Sequence, residues 1–233
     1  MPCTLPASLA DAAVCRSSFH AVLGGEAGEA VFADFSAALQ KAQAEGRILT
    51  ASLFRYENHL FFYAEGLNRP FTPQGLCPAL DAALLPWPPA LGEAAPRPWA
   101  AMQPYFYHDV PTTAADWQQG RCPQRRRGRI ALLPPDSWCS YMEHHLRIVT
   151  EGLVEGDRWH LICVQEGVLF SYLEEPRTNV NIKHQPGAHS PELDAWIAAD
   201  PESHFARFTP EQKAHPDSSH NFVFLPRIAG TED

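Results

Sequence analysis

Apolar and polar positions follow one pattern twice along this chain. A strand-like apolar run from Phe19 to Gly24 leads into a helical pattern from Glu29 to Glu45 that stops at Gly46. Two more strand-like runs follow, Ala51 to Tyr56 and Leu60 to Gly66, joined by a turn at Glu57-Asn58. The second half repeats the order. It has a strand-like run from Arg129 to Pro134 and a helical pattern from Asp136 to Glu155 stopping at Gly156. His160 to Gln165, a turn at Glu166-Gly167 and Val168 to Glu175 complete it. Glycine suits the position just past a helix because it enters the left-handed backbone region without strain. The two stops are 110 residues apart. Leu60–Glu65 aligns with Leu169–Glu174 at an offset of 109, and Pro78–Ala82 with Pro191–Ala195 at 113. An aromatic strand closes each half, Tyr105–Tyr107 and Phe222–Phe224.

Each half therefore reads strand–helix–strand–strand–helix–strand, the ferredoxin-like α+β arrangement with two helices on one face of an antiparallel sheet. The other face of such a sheet needs cover. With two tandem copies in one chain, the expectation is that the sheets pack on each other as an intramolecular pseudo-dimeric α/β barrel, a monomer with an internal pseudo-twofold. The first repeat spans 17–112, a linker 113–127 and the second repeat 128–228. The Pro-rich stretch 86–98 and the polar stretch 176–190 read as long loops, which are often functional.

Composition narrows the function. With 233 residues and 45% hydrophobic side chains, the chain can bury a core as one large or two small domains. A net charge of −9 disfavours nucleic acid as a partner. The basic run Arg125-Arg126-Arg127-Gly128-Arg129 reads as a solvated linker. No stretch approaches the roughly 20 apolar residues of a membrane span, so no membrane partner is expected. The N-terminal residues lack a cationic start, so no signal peptide is expected either. Six cysteines without CxxC pairing read as reduced thiols, which places the chain in the cytoplasm.

The candidate chemistry lies in the second half. Tyr141 and His145, four apart on a helix, share one face. At the 110-residue offset their counterparts are Val31 and Phe35, so the first repeat carries a degenerate site. Trp159 and His160 open the following strand, where Leu49 and Thr50 stand in the first half. Phe205, beside His204 and near Phe208 at the end of the second half's other helix, can supply an aromatic wall, and His184 and His189 lie in the long loop. No HExxH, phosphate-cradling glycine loop, dinucleotide fingerprint or nucleophile elbow occurs, so no metal site or cofactor is expected and proton transfer remains.

The second half also resembles a known family. Tyr141-Met-Glu-His-His145 on a helix, the stop at Gly156, a hairpin and the closing Phe222-Val-Phe-Leu225-Pro226 together are similar to the L-rhamnose mutarotase family, over roughly 128–228. The resemblance implies a dimeric α/β barrel that interconverts the anomers of an aldose without cofactor. It implies His145 as proton donor and Tyr141 as a sugar contact. His160 stands where the family has a second tyrosine, and Phe205 near a tandem tryptophan pair. The alternative is a non-catalytic module of the same fold binding a small sugar or metabolite. A third reading is a haem- or metal-dependent barrel. Whether the Tyr141–His145 face opens onto a pocket distinguishes the first two.

Overall fold

Backbone pairing shows the repeat most directly. In this computed structural model, residues 6–177, 183–184, 187, 189–213 and 215–231 are described. The first half forms β1 (Val14–Val22), α1 (Glu29–Ala44), β2 (Ile48–Tyr56), β3 (His59–Leu67), α2 (Pro78–Ala83), β4 (Ala100–Ala101) and β5 (Gln103–Phe106). A short α3 (Ala114–Gln118) leads to β6 (Arg125–Leu132), α4 (Pro135–Glu151), β7 (Val154–Glu155), β8 (Leu161–Gln165), β9 (Val168–Glu175) and β10 (Lys183–His184). Last come α5 (Pro191–Ala198), a 3-10 turn at Pro201–His204, β11 (Val223–Leu225) and β12 (Arg227–Gly230).

Two five-stranded antiparallel sheets result, in the orders β12-β2-β3-β1-β4 and β5-β8-β9-β6-β11. Position by position the orders match, which is the α+β ferredoxin-like arrangement repeated. The hairpins that set the register turn at equivalent places. Glu57 and Glu166 both take positive φ (53° and 51°), as two-residue hairpin turns require.

The edge strands differ from expectation. Tyr105 and Phe106 do not close the first half's own sheet. β5 pairs with β8, while β12 from the chain's end pairs with β2. Two compact units follow. One comprises Met1–Met102, Pro111–Pro123 and Pro226–Asp233, the other Gln103–Val110 and Gln124–Leu225.

Within the first unit, helix α1 buries Phe32, Phe35, Leu39 and Ala42 at the 3–4 spacing of a single face. These meet Ala21, Leu53, Phe62 and Trp99 in a continuous apolar core. On the opposite sheet face the buried Glu65 accepts from both Arg121 terminal nitrogens (2.6 and 3.0 Å) and from the Tyr63 hydroxyl (2.7 Å). The second unit repeats the motif 109 residues later, Tyr172 donating to Glu174 at 2.6 Å. Arg126 lies 3.5 Å from that carboxylate.

That contact corrects the reading of the basic run. Arg125–Arg129 is not a solvated linker but the first part of a strand, β6, lying between β9 and β11. It tolerates burial because carboxylates stand ready: Arg126 faces Glu174, and Arg127 pairs with Glu175 (2.9 Å) and Asp217 (2.7 Å). The segment 113–127 likewise holds α3, capped by Thr113 accepting from the Asp116 amide.

Helix α4 stops four residues earlier than expected. Gly152, not Gly156, takes the left-handed cap (φ 68°). Gly156 serves a different need, because a Cβ there would sit 1.8 Å from the His108 ring. The helices α1 and α4 begin 106 positions apart, at Glu29 and Pro135, and their buried faces keep that offset, Phe35, Leu39 and Ala42 against Tyr141, His145 and Ile148. On that register Tyr141 corresponds to Phe35 and His145 to Leu39, rather than to Val31 and Phe35. Helix α5 ends at Ala198, so Phe205 follows the 3-10 turn instead of closing a helix. Most of 178–188, including the side chain of His184, lies outside the described residues.

Candidate functional site

Helix α4 presents Tyr141, His145 and Ile148 as its buried face, spaced four and three apart. They look onto the helix-covered face of the second sheet, where Leu169 and Ser171 of β9 and Arg129 of β6 project. Helix α5 closes the side with Leu193 and Trp196. Its N-terminus is held by Ser190, which accepts from the Leu193 amide (3.0 Å) and donates to Glu151. Between these elements lies a cavity of about 330 Å³, lined also by Phe106, His108, Asp157, His160, Arg177, Phe205 and Phe222. A larger surface hollow of about 690 Å³ beside Lys41 and Arg69 belongs to the first unit and gathers no His, Tyr or Cys. The chemistry is in the smaller one.

Four of the five residues singled out in the sequence meet there: Tyr141, His145, His160 and Phe205 all line the cavity. Trp159 is buried but is not part of its lining. Several cavity residues escaped the sequence reading: Arg129, Ser171, Trp196, Phe106 and the ion pair Asp157–Arg177 (3.0 Å). Arg129 carried a usable signal. It is a charge at a position whose alternation faces the helices.

His145 is 5% exposed and enclosed by rings. Tyr141 stands 4.1 Å away between centroids, Phe106 4.7 Å, Trp196 4.8 Å and Tyr105 5.8 Å. Its Nδ1 lies 2.9 Å from the carbonyl oxygen of Tyr141. A carbonyl can only accept, so Nδ1 carries the proton, and in the neutral ring Nε2 is left as an acceptor. Burial pushes the imidazole pKa down to about 4; the backbone bond opposes this, and His144, His204 and His108 reinforce it. The ring is neutral near pH 7. Its neighbour Tyr141 is pushed up to about 12 by burial, and its hydroxyl and that of Tyr105 lie close enough to shift each other's ionisation. Burial also lowers His108, against the pull of Asp157. Among the described residues no three His, Cys, Asp or Glu side chains gather as a metal site, and the five described cysteines are free thiols. No described helix is long and apolar enough to cross a membrane.

No known family matches the sequence, and no curated protein matches it. Solved structures of similar outline carry other names. A candidate monooxygenase from Lactobacillus acidophilus has a TM-score of 0.38 at 7% identity, covering 94% of this chain and 96% of its own. A candidate monooxygenase from Fusobacterium nucleatum gives 0.40 at 8%, with 94% of both chains covered. An anthrone oxidase-like protein gives 0.37 at 7%, covering 94% and 92%. At such values the likeness assigns no residue a role.

These findings correct the resemblance to L-rhamnose mutarotases. Neither a family nor a curated relative supports it, and none of the three similar structures is named a mutarotase. The sugar substrate and the interconversion of anomers fall with it, and the alternative, a non-catalytic module binding a small sugar or metabolite, is no better supported. The geometry disagrees as well. A proton donor needs a proton on the nitrogen facing its substrate, and His145 spends its one proton on the Tyr141 carbonyl.

Proposed function

We propose that the second unit is an acid–base enzyme in which His145 abstracts a proton from a small, flat carbon acid. The observation that carries this is the fixed tautomer. The Nδ1–H bond to Tyr141 commits Nε2 to accept, in a ring that lines the cavity. In the reaction the substrate C–H proton passes to Nε2, and the electron pair stays on the substrate as an enolate. The Tyr141 hydroxyl, too weak an acid to ionise itself, can donate to the enolate oxygen. The low pKa of His145 comes from burial and neighbouring histidines, which disfavour imidazolium. An enolate formed beside it supplies the opposite charge and raises that pKa as the proton arrives.

Size and walls fit such a substrate. About 330 Å³ is at the lower end of ligand pockets, which run to roughly 300–1,000 Å³. Phe106, Trp196, Phe205 and Phe222 offer ring faces and edges to one aromatic ring.

Deuterium exchange tests the reading. In D2O, aryl ketones and 2-oxo acids bearing one aromatic ring are expected to lose their α-proton NMR signal about 10²–10⁴-fold faster with the protein than without. The acceleration should vanish in His145→Gln. Exchange undiminished in that variant, or no acceleration across the panel, overturns the proposal.

A further inference from the structure

We infer that Arg129 and Ser171 form an anchor for a carboxylate, so that the ligand of the second unit's cavity is a small aromatic monocarboxylic acid. This rests on the proton-abstraction reading for its cavity and specifies the substrate class.

Arg129 differs from the other arginines of its strand, of which Arg125 is exposed beside His215. Arg126 and Arg127 are matched by Glu174, Glu175 and Asp217. No carboxylate lies within ion-pair distance of Arg129 among the described residues, and its guanidinium makes no hydrogen bond to them. Its Nε is closed off from solvent without a partner. One flank of the guanidinium lies on the Phe222 ring, 4.5 Å from the centroid. Arg129 is half-buried; withdrawing part of a cation from water without a counter-charge is costly, and the planar fork of a guanidinium fits a carboxylate edge to edge.

Ser171 is the cross-strand partner of Arg129 in the β6–β9 register and lines the same cavity, buried to 4%. Cross-strand partners hold their Cβ atoms about 4.5–5.5 Å apart, close enough for one carboxylate to meet both side chains. Arg177 is paired with Asp157, and Glu202 is exposed and bound by the Asn221 amide. Arg129 is thus the one arginine of the lining without a carboxylate partner among the described residues, which suits the carboxylate of a ligand, and the surrounding rings suit an aromatic body.

The fold does not require this polar pair. In the first unit the same two register positions are Phe19 and Phe62, paired across β1 and β3 with their rings 6.4 Å apart. Burial and the nearby Arg177 push the Arg129 pKa down to about 10, which is consistent with a cation awaiting its anion.

The test is an NMR titration of the full chain with benzoate, phenylacetate and cinnamate against the corresponding amides. The acids are expected to bind at least ten-fold more tightly than the amides. Arg129→Gln should erase the preference, and Arg129→Lys should keep part of it. Equal binding of acids and amides, binding of neither, or an undiminished preference in Arg129→Gln overturns the anchor. The two proposals separate cleanly. Arg129-dependent binding without any deuterium exchange leaves the anchor standing and removes the base. Exchange on neutral ketones that ignores Arg129 does the reverse.

Discussion

The two units place different side chains at equivalent positions of one backbone plan. In the first, Phe19, Phe62, Phe35 and Leu39 come from β1, β3 and α1 and fill the seam between helix and sheet. In the second, Arg129, Ser171, Tyr141 and His145 occupy those positions and surround a cavity of about 330 Å³. The motif on the opposite sheet face was kept in both, as Tyr63–Glu65 and Tyr172–Glu174. So that motif is shared while the seam differs. A solid core is what this backbone accepts by default, and each polar residue at the second seam needs a reason beyond folding.

The largest effect should come from opening the solid seam. Phe35 is 1% exposed and packs on Phe62 and Trp99. Phe35→Ala removes those contacts and leaves a void, with an expected loss of about 3–5 kcal/mol in chemical denaturation. A loss below about 1 kcal/mol would mean that the first seam is as loosely filled as the second, and the contrast between them would collapse.

Much of this contrast could be read from the sequence. The duplication, the element order and the Tyr141–His145 face all follow from apolar spacing, because spacing reports which face of an element is buried. Two glycines four apart, Gly152 and Gly156, could each end α4, and only tertiary packing decides: one takes the left-handed cap, the other clears the His108 ring. Choosing the wrong one shifted the helix register by a turn. The basic run misled for a related reason. Whether a row of arginines is solvated or buried depends on carboxylates about 50 or 90 residues away, Glu174, Glu175 and Asp217, and local composition does not report them. The exchange of edge strands β5 and β12 left no local mark, since an edge strand has the same pattern whichever sheet it joins.

A middle-sized effect should appear in the pH dependence of stability. His145 titrates near 4 when folded and near 6.5 when unfolded, so between those values the unfolded chain binds the proton first. Stability therefore falls as the pH drops through that window, by about 3 kcal/mol from this residue. His145→Leu installs the residue that the first unit has at Leu39 and should remove that loss. Other depressed histidines, His59 and His108, act in the same direction in both proteins, so the difference between wild type and variant isolates His145. Denaturation curves at pH 7.5, 5.5 and 4 that stay parallel for the two proteins would place His145 in water rather than in a dry seam.

The smallest effect on folding should sharpen the comparison most. Tyr141→Phe converts the second seam toward the first, since Phe35 stands at the equivalent position of α1. The ring keeps its packing against Trp196 and Phe205, with centroids 5.4 and 5.3 Å away. Only the hydroxyl is lost, and with it the neighbour that disturbs the ionisation of Tyr105. Stability should change by no more than about 1 kcal/mol, the worth of one net hydrogen bond. Deuterium exchange should fall about ten- to a hundred-fold, because the donor at the developing oxyanion is gone. The ratio of the two effects is the informative quantity. A hydroxyl kept to hold the seam together would cost stability and spare exchange, and a hydroxyl kept for the substrate would do the opposite.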